Sequence, residues 1–308
     1  MVNHYKKVIA IMALQFLYGL NTKTINQIAS LPDPEEYFRM TPEERKEFLA
    51  SKGIDPTTRT DFNPETYMQK AADWYLQLER KGVQFLTRED KGYPANLEQR
   101  NDPEAPTLLY VLSITPAQEL FKDKVFVSVS GTRDASPYGL AVTSQAIADL
   151  ATLDRKPVIV SGLALGIDAQ AHRTALQNDM PTIAVLPTGI DVVYPRQHNA
   201  LAEQLATTPG CALVTDYPPE TPPMAINFLR RNRIIATLGD VLLVPESKHK
   251  GGAMVTARLA ADRNRQVYAV PGRITDIRSA GCNDLIREGI AEILDDTTLL
   301  TAFCSANN

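Results

Sequence analysis

Lys124-Val-Phe-Val-Ser-Val-Ser-Gly131-Thr-Arg133, followed after an amphipathic interval by Val158-Ile-Val-Ser-Gly162, decides the fold of this chain. Each run is short and β-rich, and each ends in a glycine-bearing turn. The rhythm continues to the C-terminal side. Strands are expected at 125–129, 158–160, 182–186, 212–214, 241–244 and 266–270, and helices at 138–153, 167–177, 197–206, 226–237 and 253–264. Continuous apolar strands separated by helices predict a parallel sheet covered on both faces. Ligands of such sheets sit beyond the carboxyl ends of the strands, which is where the turns fall.

Before residue 124 the pattern is helical. Residues 1–85 read as a small helical domain, residues 86–120 as a linker with a leading strand at 108–111, and residues 121–308 as the α/β domain. Thr41-Pro-Glu-Glu44 and Asn63-Pro-Glu-Thr66 are helix-start signals, with an N-cap, a proline in the first turn and acids near the positive end of the dipole. Tyr67, Ala71, Trp74, Tyr75 and Leu78 share one face of the second of these helices. The linker is rich in proline, at Pro94, Pro103, Pro106 and Pro116. The apolar run 8–17 behind Lys6-Lys7 mimics a secretion signal, but Gln15 interrupts it and no small-residue cleavage site follows, so it reads as a core helix. No run is long enough to span a membrane.

The chain has 308 residues, which suggests two domains, and its 44% hydrophobic and 22% charged content is ordinary for a globular protein. Three scattered cysteines and four dispersed histidines fit a reducing cytosol and give no metal motif. The net charge of −4 offers no general attraction to nucleic acid. Its distribution is more telling. Residues 228–290 hold eleven Lys/Arg against six Asp/Glu, a surplus of +5, whereas residues 1–120 hold fourteen against seventeen. A basic region on an acidic chain is compatible with a localised polyanion site.

The turns supply the candidate residues. The first is Gly131-Thr132-Arg133 with Ser136-Pro-Tyr138-Gly139, where Arg133 projects toward the strand ends and helix amides lie beyond it. The second is Ser161-Gly162-Leu163-Ala164-Leu165-Gly166-Ile-Asp168, which is neither a dinucleotide fingerprint nor a P-loop. Asp168 and His172 are four apart on a helix, so a structural Asp–His hydrogen bond is expected, with an acid–base pair as the alternative. In Gly189-Ile-Asp191-Val-Val-Tyr194-Pro195, Asp191 reads as a turn cap in preference to a ribose contact, and Tyr194 as rigid packing or as a platform for a base. Glu246-Ser-Lys248-His-Lys250-Gly251-Gly252 is a basic turn opening a helix. Finally, Asn227-Phe-Leu-Arg230-Arg231-Asn232-Arg233-Ile-Ile-Ala236 is expected to present its guanidiniums on one side and pack Ile234 and Ile235 on the other.

In this order and spacing, these segments, together with Pro271-Gly272 and Gly281-Cys-Asn283-Asp-Leu-Ile286, resemble the DNA-processing protein A (DprA, or Smf) family over roughly residues 86–295. The resemblance implies an α/β, extended Rossmann-like, doubly wound and mostly parallel sheet. It implies a cytoplasmic, non-enzymatic homodimer without a cofactor, one that binds single-stranded DNA and loads a RecA-type recombinase in natural transformation. By position it makes Arg133 a phosphate contact, gives Gly131, Ser161, Gly162 and Gly166 the shaping of the pocket, and sets Lys250 and Gly252 in a basic glycine turn. Leu229 stands where proline is usual, Gly251 replaces a serine, and Leu165 replaces a residue that is basic in some members. Gly19-Leu-Asn lacks the paired-glycine hairpin of the helix-hairpin-helix-like (SAM-like) domain, and no winged-helix domain is expected after Ile293. Two other readings use the same pocket: a nucleotide sensor, and a nucleotide-processing hydrolase in which Glu246 is the nearby acid.

Overall fold

The computed structural model describes residues 2–17, 20–55, 60–98, 102 and 104–307. Gly19 and Pro103, singled out above, lie outside them. Five helices open the chain: α1 (Val2–Phe16), α2 (Thr22–Ala29), α3 (Glu36–Arg39), α4 (Pro42–Ser51) and α5 (Pro64–Arg80). Thr41 and Glu44 form a reciprocal capping box at the start of α4, and the Asn63 side chain caps α5. The apolar run of α1 is core: Val8 through Leu14 are buried, packed with Ala71, Tyr75 and Leu78 of α5. Lys124 is preceded by β1 (Val83–Thr87), β2 (Leu108–Leu112) and α6 (Ala117–Phe121).

The remaining elements alternate: β3 (Phe126–Val129), α7 (Pro137–Leu150), β4 (Val158–Ser161), α8 (Ile167–Gln177), β5 (Thr182–Val185), α9 (Asn199–Thr207), β6 (Ala212–Thr215), α10 (Ala225–Leu238), β7 (Val241–Val244), α11 (Gly252–Ala261), β8 (Gln266–Ala269), α12 (Ala280–Arg287), β9 (Glu292–Ile293) and α13 (Thr298–Ala306). The expected strands and helices are present with ends displaced by a few residues at most. The nine strands form one sheet in the order β1-β2-β6-β5-β4-β3-β7-β8-β9. From β6 to β9 every pairing is parallel; β2 joins β6, and β1 joins β2, antiparallel. Strands β3 to β7 are buried throughout, as a sheet with two covered faces requires.

Helices α7, α8 and α13 pack on one face with Val127, Val129 and Ile159, while Ile234, Ile235 and Leu238 of α10 pack on the other with Val158, Val160 and Ile183. The N-terminal helices share a continuous core with β1, β2 and α9. The strand order reverses at β3. Successive strands run outward from it through β4, β5 and β6 on one side and through β7, β8 and β9 on the other. The carboxyl ends of β3, β4 and β7 therefore bound the crevice of a doubly wound sheet. Among the described residues no helix is long and apolar enough to cross a membrane.

Candidate functional site

The turn after β3 is fixed from both sides. Thr132 N donates to Glu246 O at 2.8 Å, and Thr132 O accepts from Ile167 N at 3.2 Å. Glu246, 1% exposed, does not face the crevice. Its Oε2 accepts from Ser136 N (2.8 Å) and its Oε1 from the Ser136 hydroxyl (2.6 Å), whose oxygen in turn accepts from Gly139 N (3.1 Å). The carboxylate thus sits at the positive end of α7, where the helix dipole favours it. Gly139 packs directly against it.

The turn after β4 is the floor. Ser161 is buried and donates to Val129 O at 2.7 Å. Asp168 Oδ2 accepts from Gly162 N (3.2 Å) and Ala164 N (3.4 Å), closing the loop on its own helix. Leu163 holds φ 57°, the left-handed region that costs a branched side chain energy. Its side chain is buried, and His198 Nδ1–H donates to its carbonyl at 2.8 Å. Gly166 holds φ 75°, and a Cβ there would run into Thr132 O.

The expected Asp168–His172 pair does not form. Asp168 turns back to the loop amides, and His172 turns to β5, where its Nδ1 meets Thr182 Oγ1 at 2.7 Å. Because that hydroxyl donates to Ile159 O (2.9 Å), it accepts from His172, which fixes the Nδ1–H tautomer. Burial pushes the imidazole pKa down to about 3.

The arginine cluster is also redistributed. Helix α10 runs unbroken through 225–238, so adjacent residues point about 100° apart. Only Arg230 is exposed; Arg231, Asn232 and Arg233 are buried. Arg231 Nη1 donates to Gly162 O (2.7 Å) and to Val185 O, and Nε donates to Asn232 Oδ1 (3.2 Å). Gly162 carries no side chain where the Arg231 guanidinium lies. Burial lowers the Arg231 pKa to about 10, opposed by Asp168, so the group stays charged at neutral pH. Burial pushes Asp168 upward, opposed by Arg231 and the two amides. Asn232 Nδ2 reaches Gly252 O at 3.4 Å, tying α10 to the start of α11. Arg233 pairs with Asp216, away from the crevice.

A cleft of about 370 Å³ results. It gathers Gly131, Thr132, Arg133, Ala164, Asp168, Arg231, Asn232, Gly251 and Gly252 from the sequence-derived set. Ser161, Gly162, Leu163 and Gly166 support it from below. Ser136 and Tyr138 line a neighbouring, larger cleft of about 640 Å³ with Pro271 and Arg273. Arg230 and Arg233 line a different cavity, and Lys250 is exposed outside all three. The cleft also holds Phe228, Leu229, Asp134 and Lys248, none of them among the candidate contacts drawn from the sequence. Lys248 belongs to the same basic turn as Lys250, two residues before it. Phe228 immediately precedes Leu229 and the arginines.

The outer wall is aromatic and cationic. The exposed Arg133 guanidinium lies over the Phe228 ring at 4.7 Å, and Tyr194 packs edge-on against the same ring at 5.5 Å. Arg133 makes no ion pair among the described residues. Lys248 Nζ pairs with Asp134 at 2.9 Å; that bond, with Arg278, holds the Asp134 carboxyl below its usual range. Asp191 accepts from Glu220 N (3.1 Å) and so caps the 218–221 turn. Stacking leaves the donors of Arg133 free for an anion, and the start of α11 brings backbone amides to the same wall.

The family described as DNA recombination-mediator protein A matches residues 84–304. Protein Smf of Synechocystis sp. is 37% identical over 245 residues, covering 79% of this chain; the chain spans 58% of that protein's length. The structure of DNA processing protein A from Streptococcus pneumoniae superposes with a TM-score of 0.67 at 28% identity, covering 92% of this chain and 98% of the other. The corresponding protein from Helicobacter pylori, whose structure was described for its single-stranded DNA binding mode, gives a TM-score of 0.63 at 28% identity over 73% of this chain and 97% of the other.

Proposed function

The chain belongs to the DNA recombination-mediator protein A family, and on that premise we propose that it binds single-stranded DNA in the cleft over β3, β4 and β7. The reading extends to a cytoplasmic homodimer that protects incoming strands and loads a RecA-type recombinase onto them during transformation. Residues 121–308 form the binding unit, joined through 86–120 to the helical unit 1–85. The observation that carries the proposal is Arg133 stacked on Phe228 with its donors unpaired among the described residues. A planar cation over an aromatic ring suits a backbone phosphate and an adjacent base, independent of sequence. The H. pylori relative's single-strand binding supports it. A non-enzymatic role accords with Glu246, the acid the hydrolase reading would use, having both carboxylate oxygens on Ser136. Three buried free thiols suit a reducing compartment.

The test is a titration of fluorescent oligo-dT beside a duplex of equal length, at about 50 and about 200 mM salt. Binding is expected to prefer the single strand and to weaken with salt. A protein that ignores oligo-dT but binds a mononucleotide tightly would be the sensor instead. Release of base or phosphate from that nucleotide would restore the hydrolase.

A further inference from the structure

The opposite side of α10 carries a cavity of about 350 Å³ that the proposed function does not use. It lies between the start of α2 and the middle of α10, and Lys23, Arg230 and Arg233 supply its cations. Lys23 and Arg230 are exposed, and neither makes an ion pair among the described residues. Arg233 is 8% exposed and one guanidinium nitrogen pairs with Asp216, while, among the described residues, Arg233 Nη1 and Asp216 Oδ1 are both buried without a hydrogen-bond partner. The amides of Thr22 and Lys23 precede the first helical hydrogen bond of α2, from Ile25 N to Asn21 O at 3.0 Å. Two carboxylates, Glu104 and Asp216, line the same space. The balance of three cations to two carboxylates matches the first cleft, where Arg133, Arg231 and Lys248 meet Asp134 and Asp168.

We propose that this cavity is a second oxyanion site, which takes a phosphate group of the strand held in the first cleft. The inference rests on the single-strand reading above. Arg231 of the first cleft and Arg233 of this cavity are two positions apart on α10 and so point about 200° apart, which sets the two sites on opposite sides of the helix, about one helix diameter (~10–12 Å) apart. A strand long enough to cross α10 engages both, and the N-terminal helices become part of the binding surface.

The test uses the full chain with Lys23→Gln and Arg230→Gln combined, since both side chains are exposed and outside the first cleft. Oligo-dT of about 5 and about 20 nucleotides is titrated against wild type and variant. The long strand is expected to bind about tenfold more weakly to the variant, with a salt slope shallower by about 1.4 for two contacts. The short strand should change less than twofold. Millimolar orthophosphate is the second probe, read by thermal unfolding. Protection of wild type that the variant loses, with no change for either strand, supports the site with free phosphate as its source. This arm stands even if wild type binds no DNA, which would sink the single-strand reading alone. Unchanged affinity at both lengths together with no phosphate response overturns the site.

Discussion

Arg133 and Arg231 line the same cleft, yet one is an exposed side chain resting on Phe228 and the other a buried group spanning three elements. The outer wall, with Arg133 and Lys248, keeps its cations where solvent or a ligand reaches them. The inner wall spends Arg231 on the carbonyls of Gly162 and Val185 and on the charge of Asp168. A guanidinium inside a protein must satisfy its donors internally, and it then cannot be released to a ligand without cost. The difference separates residues that hold the crevice open from residues that meet what enters it. It also explains why a run of arginines is a poor map of a binding surface when a helix turns each one a different way.

The largest expected effect tests the inner wall. Arg231→Met leaves two buried carbonyls and Asp168 without their partner and should cost about 3–5 kcal/mol, read from urea unfolding. A loss under about 1 kcal/mol would place Arg231 with Arg133 and erase the distinction. Next is the buried pair on the far side of α10: Arg233→Met should cost about 3 kcal/mol, and adding Asp216→Leu should recover much of it, because the stranded charge leaves with its partner.

Acid should also affect the inner structure. His172 is neutral in the fold, with its pKa lowered to about 3 from an ordinary 6.5. Below pH 6.5 the unfolded chain binds a proton that the folded chain does not. This contribution to stability is therefore complete above pH 6.5 and is lost progressively as pH falls toward 3. At pH 5 the loss is about 2 kcal/mol. Unfolding curves at pH 7 and 5 should show it, and His172→Gln should flatten the difference.

Much of the fold was legible because six apolar strands alternating with helices admit few arrangements. Strand β1 was missed although Gly82, at φ 82°, ends the preceding helix, because Val83-Gln-Phe-Leu-Thr87 is a short run that gains its partner only when β2 arrives at the sheet edge. Strand β9 is two exposed residues whose pairing with β8 has no sequence signature. In the site, the glycine turns marked the crevice, but burial was not readable. Charged residues are rarely buried, so nothing at 230–233 said that Arg231 and Arg233 are inside while Arg230 is outside. The i,i+4 spacing of Asp168 and His172 suggested contact, yet the loop amides and Thr182 offered each a better partner. Lys248 was passed over for Lys250, although only the former lies in the cleft.

The smallest change in the fold bears most directly on function. Arg133→Ala removes an exposed side chain and should alter stability by less than about 0.5 kcal/mol. The decisive measurement is its affinity for oligo-dT across a salt series, beside wild type. The account predicts about tenfold weaker binding to every sequence, roughly 1.4 kcal/mol, and a salt slope reduced by about 0.7, one phosphate contact on a single strand. Unchanged affinity and slope in a folded variant would contradict the placement of the strand against the outer wall.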